Sequence, residues 1–106
     1  MKQLIISQIE VTSDGTVQVR MNKFSSDGDL IGNHRTSLFP SSDINAQVNA
    51  QIAEVNSHMA TQNFAAISDA DVVKLTAICN AAWTPAVIAA YQAAQAAAEA
   101  ARNTGA

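Results

Sequence analysis

Apolar residues recur every second position before Pro40 and every third or fourth position after it, and that switch predicts the layout of the chain. Ile5, Ile9 and Val11 alternate with polar residues, and so do Val17, Val19 and Met21, the period of half-buried strands. Between the two runs, Asp14-Gly15 invites a two-residue turn, which would set Val11 opposite Gln18 and Ile9 opposite Arg20. A three-residue loop, Ser13-Asp14-Gly15, sets Val11 against Val17 and Ile9 against Val19, with Gly15 in the left-handed position of a bulge. A one-residue slip would turn every side chain to the wrong face, so burial selects the three-residue loop. Glu10 then lies beside Gln18 and Gln8 beside Arg20 on a solvated outer face.

Ser26-Asp27-Gly28 repeats the tripeptide. Here the same loop would turn Asn33, Arg35 and Ser37 inward. A two-residue Asp27-Gly28 turn points His34, Thr36 and Leu38 inward instead and leaves Arg20 facing Arg35 outside. An inward arginine is costlier than an exposed like-charge pair, so the two-residue turn is expected. The third strand is the weakest, with a bulge or an edge position to accommodate it.

After Pro40 the pattern is helical. Ser41, Ser42 and Asp43 all offer cap oxygens, and Ile44, Val48, Ile52, Val55 and Met59 follow on one stripe, opposite an amide-rich face. Ser68-Asp69-Ala70-Asp71 reads as a capping box, with Ile67 and Val72 as its staple, opening a helix that buries Val72, Leu75, Cys79 and Ala82. At Trp83-Thr84-Pro85, Thr84 is placed as an N-cap, Pro85 as the first helical residue, and Trp83 and Ile88 as a staple. The last helix runs from about 85 to 102, ended by Asn103 and Gly105. The expectation is one α+β domain over residues 1–106: a three-stranded antiparallel meander in 1–40, and a layer of three helices packed on one face of it in 41–106.

Composition agrees with that division, since the first alanine is Ala46 and β-branched residues dominate before it. The net charge of −3 arises in the helical half, and no basic patch offers itself to phosphates, so no nucleic-acid partner is expected. The longest apolar run is too short to span a bilayer and no signal-peptide pattern opens the chain, so no membrane partner is expected either. Cys79, the single cysteine, cannot form an internal disulfide and reads as a small buried hydrophobe.

Little in the chain suggests reaction chemistry. His34 and His58 stand apart, with no second ligand at metal spacing. Asp27-Gly28-Asp29 resembles a fragment of a calcium loop but lacks the alternating ligands and distal glutamate, and turn chemistry accounts for it. Phosphate-cradling loops, nucleophile elbows and dinucleotide fingerprints do not occur. The expectation is a non-enzymatic protein with no catalytic residue, cofactor or metal. Its candidate contact residues lie on the last helix and its lead-in: Trp83, then Val87, Tyr91, Ala94, Ala98 and Ala101, spaced four, three, four and three as a short heptad seam. Small residues permit close approach, which suits packing between identical copies.

Three stretches carry a resemblance: Asn33-His34-Arg35-Thr36; Pro40 and Asp43 leading into a Gln- and Ala-bearing helix; and Trp83 through Gln92. Together they resemble small proteins encoded among the tail genes of tailed bacteriophages and prophages. The resemblance implies a virion component of the tail, baseplate or tail fibre, acting through contacts with other tail or fibre proteins, and located in the virion or in the host cytoplasm during assembly. The alternative it implies is a tail or tail-fibre assembly chaperone that is not retained, and a third is a host-directed binding module. It brings no catalytic residues.

Overall fold

Three antiparallel strands, β1 (Gln3–Val11), β2 (Val17–Phe24) and β3 (Leu30–Leu38), form a meander in the order β1-β2-β3. Three helices follow: α1 (Ile44–Ala60), α2 (Asp69–Ala82) and α3 (Pro85–Thr104). This computed structural model describes residues 1–104 and has the expected α+β fold. The proposed stop signal at Gly105 lies outside the described residues.

The first hairpin has the expected register, with Val11 opposite Val17 and Ile9 opposite Val19. Its loop is closed by the Thr12 N–H donating to Thr16 O at 2.9 Å, and Gly15 sits at φ 89°. The Asp14 carboxylate accepts from the Thr12 hydroxyl and, at 3.0 Å, from the Thr16 N–H. Those two bonds hold its pKa below the usual carboxylate value, the Thr12 bond contributing most.

Towards the start of β1 the strand departs from strict alternation. A bulge at Ser7, whose hydroxyl donates to Arg20 O at 3.1 Å, flips the side-chain alternation. Leu4 and Ile6 therefore join the core, and Ile5, expected inside, is 41% exposed. The second hairpin corrects one expectation and keeps another. His34 pairs with Met21, Thr36 with Val19 and Leu38 with Val17, so the inward set is the expected one, and Arg20 does face Arg35. The turn is nevertheless the three-residue one, with the Ser25 N–H donating to Asp29 O at 2.8 Å and Gly28 at φ 89°. A bulge between Leu30 and Gly32, opposite Lys23 and Phe24, restores the favourable register. Burial of Leu38 decided the register, and the bulge absorbed the odd residue.

One face of the sheet is covered by α1 and α2. Val48, Ile52, Val55 and Met59 of α1 and Leu75 and Cys79 of α2 pack over Val17, Val19, Met21 and Leu38. Asp43 caps α1, its Oδ1 accepting from the Ala46 N–H at 3.2 Å. At the far end Asn63 takes φ 68°, letting the Phe64 N–H reach Met59 O at 3.2 Å, a closure in which asparagine stands in for glycine. Ser68 caps α2, accepting from the Asp71 N–H at 3.2 Å. The other half of the expected capping box is absent, because Asp71 Oδ2 accepts from the Ile6 N–H at 3.1 Å. That bond occupies a donor on the sheet edge that would otherwise go unpaired.

Candidate interaction surface

The α2–α3 junction is held by the tip of the first hairpin. Trp83 ends α2, its backbone N–H donating to Cys79 O at 2.8 Å, and α3 departs at 80° to α2. The Thr84 hydroxyl accepts from the Val87 N–H at 3.3 Å, the expected cap. The Trp83 indole N–H donates to Gly15 O at 2.7 Å, a buried bond spanning 68 residues. Gly15 is small for two reasons: its φ is positive, and a methyl there would overlap Val87 Cγ1 and sit 3.2 Å from Pro40 Cγ.

This placement divides the proposed contact residues. Trp83 is 2% exposed, so the assignment of Trp83 as a contact with another molecule is corrected: its indole is consumed in anchoring α3 to its own sheet. Val87 and Tyr91 are half-buried, and the Tyr91 ring stacks on Phe39 with centroids 6.1 Å apart. Ala94 lines a groove of about 230 Å³ between α3 and the hairpin tip, together with Ser13, Asp14, Val87 and Tyr91. From Gln92 to Asn103 every residue is exposed, Ala94, Ala98 and Ala101 included. The expectation that all three helices pack on the sheet therefore holds for α3 only at its first two turns.

A second surface lies on the opposite side. The helical layer packs on the inner face, and the outer face carries two polar rows in register, Gln8–Arg20–Arg35 and Glu10–Gln18–Ser37. These six side chains line a concavity of about 380 Å³. Further along the same face the character becomes apolar, with Ile5 and Phe24 beside the second turn.

The histidines do not stand apart as expected. His34 on β3 and His58 near the end of α1 have ring centroids 5.9 Å apart. Strand and helix come together because Met21, opposite His34, and Met59, beside His58, belong to the same core. Partial burial, then Lys23 and His58, hold the His34 pKa below its ordinary value. Among the described residues no group of three or more His, Cys, Asp or Glu side chains could hold a metal ion. Burial pushes the Cys79 thiol up to about 11, which keeps it protonated at neutral pH. No single helix among the described residues is long and apolar enough to cross a membrane, although α2 and the first nineteen residues of α3 meet that test as a bent pair by length and composition.

No protein-family model matches the chain, and comparison with curated proteins and with solved structures returned no match.

Proposed function

We propose that this protein is a small structural component that assembles through the projecting part of α3, packing that helix against the same helix of a second copy. The observation that carries the reading is the twelve-residue run Gln92–Asn103, exposed on every side and alanine at seven positions. These turns add no residue to the buried core of their own chain. Alanine permits close backbone approach, and Ala94 and Ala98 continue the row of Tyr91 as a polar-free seam. Glu99 and Arg102, three residues apart, lie together with Gln92 and Gln95 on a polar stripe along one side of that seam.

The resemblance to tail-region proteins of tailed bacteriophages supports a virion setting for that assembly, with other tail or fibre proteins as neighbours. Quantifying the protein in purified particles tests the setting. A fixed copy number, lost in an Ala94→Glu/Ala98→Glu variant that still folds, is the expected result. Abundant expression with none in the particle would contradict a structural role and favour an assembly chaperone.

A further inference from the structure

The outer sheet face holds a feature that the α3 assembly does not use. Arg20 and Arg35 are directly opposed on neighbouring strands, an arrangement of like charges that destabilises a sheet by itself. Arg20 Nε is buried and has no hydrogen-bond partner. A buried guanidinium nitrogen without an acceptor is uncommon in a folded protein. Both side chains line the open concavity of about 380 Å³, together with Gln8, Gln18 and Ser37.

We propose that this concavity binds a carboxylate-bearing peptide segment of a protein partner, the carboxylate bridging Arg20 and Arg35. The guanidinium fork matches a planar carboxylate through paired N–H donors, and a bridging anion turns the opposed charges from a repulsion into a clamp. The amides of Gln8 and Gln18 and the Ser37 hydroxyl supply donors and acceptors for the adjoining peptide groups. Glu10 closes one side of the hollow with a negative charge. A ligand carrying one carboxylate avoids it, whereas a polyanion such as a nucleic-acid strand meets it at close range. This surface is on the side of the sheet away from the helices, so it operates whether or not α3 pairs with α3.

Nitrogen-15 NMR of the arginine Nε–H groups in the intact protein tests the assignment. The probes are a capped Gly-Glu-Gly tripeptide, the matching Gly-Gln-Gly tripeptide and inorganic phosphate, at constant ionic strength. The glutamate peptide should move the Arg20 Nε–H resonance along a saturable curve, the glutamine peptide should leave it in place, and Arg35→Gln should weaken the response roughly tenfold. An unchanged Trp83 indole resonance verifies that the variant is folded. In the absence of peptide, Arg35→Gln should also melt above the wild type, since it removes the opposed charge. Equal responses to both peptides, a stronger response to phosphate, or no response at all would each overturn the proposal, as would a variant that melts lower.

Discussion

Gly15 and Gly28 occupy the same position in two copies of the same turn, both at φ 89°, yet their surroundings differ. Nothing lies within 4 Å of a methyl placed on Gly28, whereas one on Gly15 runs into Val87 and Pro40. Gly28→Ala should therefore destabilise by about 1 kcal/mol, the left-handed backbone alone. Gly15→Ala should add overpacking of about 1–3 kcal/mol to that. Equal losses in urea melts would mean that the hairpin tip does not pack against α3. Trp83→Ala should lose about 3–5 kcal/mol, because it empties a core site and leaves Gly15 O without its donor. Thr84→Ala should lose only about 1 kcal/mol, through the cap. His34 gives a pH dependence whose sign follows from its lowered pKa. The unfolded chain takes up the proton more readily, so the stability contributed by neutral His34 is present above the ordinary value of 6.5 and is lost as pH falls through the folded value. A His34→Gln variant should show a smaller drop in melting temperature between about pH 7 and pH 5 than the wild type.

The elements show how far local pattern reaches and where it stops. The α1 stripe, the Thr84-Pro85 start of α3 and the pairing of Val11 with Val17 were legible because each depends on neighbours three or four positions away or across a tight loop. The bulge in β1 was not, and the one in β3 was expected only as an alternative to an edge position, because the place of each answers to a distant constraint. Ser7 is displaced so that Leu4 and Ile6 can reach the helices, and the extra residue in β3 sits where the second turn's register must be corrected for Leu38. The Asp71 bond to Ile6 was equally hidden, since a carboxylate three residues past a serine reads locally as a capping box. Asp71→Ala should consequently cost about 1–2 kcal/mol, more than Asp69→Ala in the same first turn, where loss of the dipole interaction alone is expected. Chemical denaturation of the two variants side by side measures the difference. The arginine pair was visible as a repulsion in the register, but its concave setting depends on how the bulged sheet curves.

The molecule as a whole is extended, 53 × 33 × 21 Å, with a radius of gyration of 16.1 Å against about 13 Å for a compact chain of this length. The difference reflects α3, whose exposed run of twelve residues reaches about 18 Å at 1.5 Å per residue. Those turns need no separate nucleation, because Thr84, Pro85 and the buried Trp83 start the helix, and alanine then propagates it. Helix propensity explains why the segment holds its shape, but burial in a second copy is what would give that shape a use. Light-scattering mass measured across a concentration series, for wild type and for Ala94→Glu/Ala98→Glu, tests that directly. The wild type should rise from the mass of one chain to that of two, while the variant stays at one with its melting temperature little changed. A wild type that remains at the mass of one chain at the highest concentration, or a dimer that survives both glutamates, would contradict assembly through α3.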